Sequence, residues 1–248
     1  GCTRRYEPGH SGYHPGRLAA MSAIEDIIAF ASAPHTLPSA VRADALRLLA
    51  DTLAVGAAGA ASGEAMPLAR AVAGWGSGAD ARALCGGTLP APSAAFFNAF
   101  SIHCLEWDAV HEPAVVHALS VVTAALLAAS DRRGGSPPEH FLAALAVGVD
   151  IASGIGCSAQ GAMRFFRPAT AGIIGATLAV ARLEGLDRNS MANAAGLAYS
   201  FLSGTMQAHV EASTALPLQI ANAARGAICA VDLASAGIDG PHDILNGP

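Results

Sequence analysis

Alanine fills nearly a quarter of this 248-residue chain, in runs such as Ala124-Ala-Leu-Leu-Ala-Ala, and this constrains the fold more than any other feature. Alanine has the highest helix propensity, and its small side chain lets helix backbones approach closely. A GC-rich genome inflates Ala, Gly and Arg too, so composition carries only half the argument. Hydrophobic spacing carries the rest. Residues 22–33 begin at a Ser N-cap, with Glu25 at the capping-box position. Residues 38–58 follow Pro38 and place Val41, Ala45, Leu48, Leu49 and Leu53 on one face. Further helices are expected over 65–75, 91–103, from Pro113 to Ser130, 138–160, 169–184, 189–203 and 216–236. Residues 82–86 read as a short strand or connector. No period-2 strand series and no Gly-x-Gly-x-x-Gly after a strand is present. The expectation is a single all-α domain over 21–248, preceded by a disordered extension over 1–20 with Met21 as a natural start.

Charge narrows the function. The chain is 52% hydrophobic, 13% charged and has a net charge of −5, against a usual charged fraction of about 25%. All 14 of its Lys/Arg cations are arginines, which excludes a Schiff-base lysine, a P-loop lysine and a lysine general base. A nucleic-acid partner needs a basic face that this balance does not provide. Cys2, Cys85, Cys104, Cys157 and Cys229 are scattered, with no Cys-x-x-Cys, and read as small buried hydrophobes in a reducing cytoplasm. The uncharged stretch 113–129 is shorter than the roughly 20 residues of a membrane span, so no membrane association is expected. The first twenty residues lack the apolar core of a secretory signal.

Chemistry is concentrated in residues 103–117, His-Cys-Leu-Glu-Trp-Asp-Ala-Val-His-Glu-Pro-Ala-Val-Val-His. Three histidines, Glu106, Asp108 and Glu112 fall between two apolar flanks. Polar groups at such a place are costly unless paired or used. His117, entering an apolar helix, is the best acid or base, because burial tunes an imidazole near neutral pH. The bland alternative is a satisfied core histidine. Asp108 and Glu106 either orient His103 or His111, or cap the neighbouring helices. His103, Glu106, Asp108 and His111 also suit a transition metal by type. Their spacing is not His-x-x-x-His, however, and a helix break interrupts them, so neither metal nor cofactor is expected. Arg167, before Pro-Ala-Thr at a helix start, is placed to grip a carboxylate with Thr170 and the helix N-terminus; Arg164 and Arg225 are weaker candidates.

Four ordered segments carry a family resemblance. They are Asp51-Thr-Leu-Ala-Val-Gly-Ala-Ala-Gly; Ala95-Phe-Phe-Asn-Ala-Phe-Ser-Ile-His-Cys-Leu-Glu-Trp-Asp with His111 and His117; Phe166-Arg-Pro-Ala-Thr-Ala-Gly running into Ala181-Arg-Leu-Glu-Gly-Leu-Asp; and Leu216-Pro-Leu-Gln-Ile-Ala-Asn-Ala-Ala-Arg-Gly. Together they resemble the MmgE/PrpD family, which includes 2-methylcitrate dehydratase, cis-aconitate decarboxylase and iminodisuccinate epimerase. The resemblance covers about residues 22–248. It implies a helical domain, metal-independent acid–base chemistry on a small di- or tricarboxylate, and a homodimer packed through helices. Family members continue into an α/β lid, and this chain stops at Asn246-Gly-Pro, near where the lid would begin.

The resemblance places His103, Glu106, Asp108 and His117 as catalytic residues and Arg167, Thr170, His111 and Gln219 as substrate ligands. Glu106 and Ala109 depart from the family's acidic motif. Arg167, or Phe166 in another register, stands where the family has a catalytic histidine. Leu216-Pro-Leu-Gln219 has lost both the Lys and the His of a Lys-Pro-Leu-His motif. A lyase or isomerase is the leading expectation. The alternative is a catalytically degenerate or truncated member acting as a helical dimer or a carboxylate- or partner-binding module.

Overall fold

The computed structural model describes residues 22–246. Cys2, Met21 and the extension expected over 1–20 lie outside the described residues. In chain order the elements are α1 (Ala23–Ser32), α2 (Ser39–Ala60), α3 (Ala65–Ala73), β1 (Ala81–Arg82), β2 (Thr88–Leu89), α4 (Ala91–His103), α5 (Ala118–Arg132), α6 (Pro138–Ser158), α7 (Arg167–Glu184), α8 (Arg188–Ser200), α9 (Gln207–Val210) and α10 (Ala215–Ser235). The expected all-α class holds, with one two-stranded hairpin at 81–89 where a strand or connector was expected.

Local sequence sets most helix ends. Ser22 and Glu25 form the anticipated capping box, each side chain meeting the other's backbone N–H. Proline stands in the first turn of α4, α6 and α7, where its missing N–H costs nothing. Gly185 closes α7 at φ 75°. Its N–H donates to the Arg182 carbonyl, and that of Leu186 to the Ala181 carbonyl, the paired bonds of a Schellman ending. Asp187 then caps α8 by accepting from the Ser190 N–H at 2.8 Å.

The core is built around α7, which packs against α5, α6, α8 and α10, while α4 lies against α10, α5 and α2. Small residues set these distances. A Cβ on Gly148 of α6 would lie 2.7 Å from the Ala179 Cβ of α7, and one on Gly175 would strike the Gly148 carbonyl. In α2 the inner face is Ala45, Thr52, Gly56 and Gly59 rather than the expected Leu-rich stripe. Val41 is 43% exposed, and Leu48 and Leu49 are only partly covered. The reason is contact with α4: Gly56 faces Ile102, and a Cβ on Gly59 would collide with the Ser101 carbonyl.

Two further expectations are corrected. The helix expected to open at Pro113 begins at Ala118. Residues 111–116 form a tight hairpin instead, with the His111 N–H donating to the Val116 carbonyl at 3.0 Å. The cysteines within the described residues are not fully buried: Cys85 and Cys157 are exposed, Cys104 and Cys229 partly covered. By length and composition alone, α6 is long and apolar enough to cross a bilayer. More than half of that apolar stretch is buried inside the protein, as it is in a core helix.

Candidate acid–base site

His103 is the last residue of α4 and His117 the N-cap of α5. These two helices pack together, so the thirteen residues 104–116 between them return the second ring to the first. The ring centroids are 4.8 Å apart and the planes meet at 68°. Glu106 makes the return possible. It adopts φ 52° and donates its N–H to the His103 carbonyl at 2.9 Å, turning the backbone so that Asp108 points inward. Neither Glu106 nor Asp108 caps a helix.

Asp108 is the hub. Its side chain is fully buried, with His103 Nδ1 at 3.1 and 3.0 Å from its two oxygens. The Ser120 hydroxyl donates to Oδ2. His117 Nδ1 lies 3.2 Å from the same oxygen, but off the line of a well-aligned hydrogen bond. Burial alone would push the Asp108 carboxyl up. The hydrogen bonds and charge of the two imidazoles outweigh that and hold it well below the usual carboxylate range. Burial would likewise lower His117, yet the Asp108 carboxylate beside it, with Glu106 further off, raises it above an ordinary histidine.

The two imidazoles therefore differ in setting. With Asp108 ionised, His103 Nδ1 donates to it, and His103 Nε2 is buried with no partner among the described residues. The His103 side chain is 2% exposed and that of His117 21%. His117 is thus the member of the cluster that a solute can reach. His103, Asp108 and His117 are also the grouping of metal-type donors among the described residues, with ligand atoms all within 4.8 Å of one another. They differ from the quartet weighed from sequence, since His111 and Glu106 stand outside. Both Nδ1 atoms face the carboxylate itself, an arrangement for holding protons.

The expected substrate ligands are dispersed. Arg167 donates from Nη1 to the Ala114 carbonyl at 3.1 Å. With Thr170 it lines a cavity that none of His103, Asp108 and His117 lines. His111 accepts the Ala114 N–H at Nδ1, 3.3 Å away, and so belongs to the hairpin. Gln219 accepts the Thr205 N–H at 2.5 Å, while its buried Nε2 has no partner among the described residues. The sequence reading missed Ser120. Its signal was available, because three residues past His117 on a helix lies on the same face.

A family model described as the MmgE/PrpD N-terminal domain matches residues 28–248. The chain is 30% identical to human cis-aconitate decarboxylase over 165 residues, 64% of this chain and 34% of that protein. The match therefore spans about a third of its relative's length.

Proposed function

The chain belongs to the MmgE/PrpD family, and on that premise we propose that it is the helical part of a lyase, of dehydratase type, or of an isomerase. Its substrate is a small di- or tricarboxylate, and its chemistry is proton transfer at a carbon next to a carboxylate, without a metal. A single observation carries this reading. A buried carboxylate is clamped between two imidazoles, and one of these opens to solvent with its pKa raised. Such a group exchanges protons near neutral pH. Asp108 lies 3.2 Å from Nδ1 of His117 and balances its charge when protonated. His103 and Ser120 fix Asp108 by hydrogen bonds. The relative's name motivates cis-aconitate as a first substrate to try, and the resemblance motivates 2-methylcitrate. A homodimer in the cytoplasm belongs to the same proposal.

The test is turnover of those two acids, using the chain with any sequence contiguous to it in its gene. His117→Ala is expected to lower turnover by about 10²- to 10⁴-fold, the usual worth of a general acid or base, with the helical circular dichroism retained. Full activity in both His117→Ala and Asp108→Asn would sink the assignment.

One observation favours the second reading, a non-catalytic binding module. The residues at the two positions where the family resemblance expects histidines, Arg167 and Gln219, each hold backbone here. That reading predicts binding of di- or tricarboxylates with no turnover.

A further inference from the structure

A cavity of about 570 Å³, open to solvent, lies between the C-terminal end of α6 and the N-terminal end of α7 and is bordered also by Tyr199, Leu202 and residues 244–245. Its volume is within the roughly 300–1,000 Å³ of small-molecule sites. Its charge is one-sided. Arg164 and Arg167 line it and no Asp or Glu does, in a chain where acidic residues outnumber arginines 19 to 14. Arg164 is exposed and its side chain makes no hydrogen bond or ion pair among the described residues. Of the five N–H donors of a guanidinium, Arg167 spends one, on the Ala114 carbonyl. Gln160, Thr170 and Tyr199 add neutral polar groups, and Ile155, Ile174 and Ile244 an apolar wall. The first turn of α7, the positive end of an 18-residue helix dipole, borders the same space.

The tie from Arg167 to Ala114 matters because of where it lands. Ala114 is fully buried in the 111–116 hairpin, and the next residue, Val115, stands at φ 53°. A β-branched side chain is strained there, and such strain persists only where its surroundings over-determine it. Those surroundings include the His111–Val116 bridge, the Ala114 N–H bond to His111 Nδ1, the Arg167 bond and Gly156, on which a Cβ would lie 2.6 Å from Val116 Cγ2 and 2.8 Å from Ala114 Cβ. Two residues further on is His117.

We propose that this cavity is a binding site for a small carboxylate-bearing molecule, separate from the Asp108 cluster, in which Arg164 and Arg167 hold the anion and Arg167 passes its occupancy to the hairpin that precedes His117. The free N–H groups of Arg167 match a carboxylate in bidentate geometry while its Nη1 stays on Ala114. Anion binding then immobilises the guanidinium and, through it, the strained turn. The proposal does not depend on turnover, so it stands or falls independently of the lyase reading.

Citrate is the probe, titrated calorimetrically against the chain, with amide hydrogen exchange at 114–117 as the second readout. Arg164→Gln is expected to weaken citrate binding about tenfold, the worth of one charged hydrogen bond, with the fold intact because Arg164 holds no protein group. Arg167→Gln should weaken it at least as much and speed exchange at 114–117. Citrate should slow that exchange in the wild type and not in Arg167→Gln. His117→Ala should leave the Arg164-dependent part of citrate binding in place. Absence of citrate binding, or binding indifferent to both arginine variants, overturns the proposal. Binding lost in His117→Ala but kept in Arg164→Gln also overturns it, while supporting the acid–base site. Should Arg167→Gln fail to fold, Arg164→Gln and His117→Ala still decide between the two locations.

Discussion

Asp108 shows how one residue sets the character of a site. Its buried carboxylate is held ionised by the imidazoles of His103 and His117, and its charge in turn raises His117. The two shifts act on stability in opposite pH directions. A depressed carboxyl contributes stability above its unfolded pKa of about 3.9, and that contribution is lost as pH falls toward the folded value. A raised histidine contributes stability below its unfolded pKa of about 6.5, lost as pH rises through the folded value. Both are present together between about pH 4 and 6.5. Asp108→Asn is therefore expected to cost about 3–5 kcal/mol, the scale of breaking a buried pair. In urea denaturation the gap between wild type and variant should be widest in that window and narrow on each side. A gap that is flat from acid to alkaline pH would refute the clamp. The residue types of this cluster were legible in the sequence. That Ser120 would join it, and that Glu106 and His111 would not, followed from where the 104–116 connection turns.

Among the helices, spacing and caps were enough to place most elements, and small residues then decided how closely they pack. The expected leucine face of α2 and the helix expected from Pro113 failed for one reason. In each, contacts from a distant segment override local spacing. In α2 the α4 backbone comes too close for large apolar residues, and glycine takes the place. At 111–116, burial of Ala114 and Val116 against Gly156 holds a hairpin that helical spacing would not choose. The crossing of α6 and α7 gives a quantitative check. Gly175→Ala drives a methyl into the Gly148 carbonyl and should destabilise by about 1–3 kcal/mol, the range of overpacking. Gly154→Ala, in the same α6 but with nothing within 4 Å of its Cβ, should be neutral or stabilise by up to about 1 kcal/mol. Equal effects of the two in thermal denaturation would show that the crossing is looser than the structure has it.

For the molecule as a whole, α5, α7 and α10 are tied by Arg132, which pairs with Glu184 and Asp232, each at 2.7 Å. The apolar α6 is held in this bundle, packed on α5 and α7. The outer face of α2 leaves Val41 and Leu46 more than 40% exposed, and the proposed homodimer would cover apolar surface of this kind. The chain should therefore sediment without detergent as one species of about twice 24.8 kDa. A 24.8 kDa monomer at micromolar concentration would remove the homodimer from the proposal.

The sequence by itself determined the helices, their caps, the family, and a short segment rich in histidine and carboxylate. These are properties of neighbours along the chain, where propensity, capping and 3.6-residue spacing act. Only the tertiary structure decided which of those side chains meet. The packing of α4 on α5 brought His103 and His117 onto one carboxylate and left His111 in a hairpin. The hairpin beside α7 took Arg167 away from the acid–base cluster and into a cavity of its own. Convergence of this kind depends on where helix axes cross, and here glycine and alanine contacts between distant segments set the crossings.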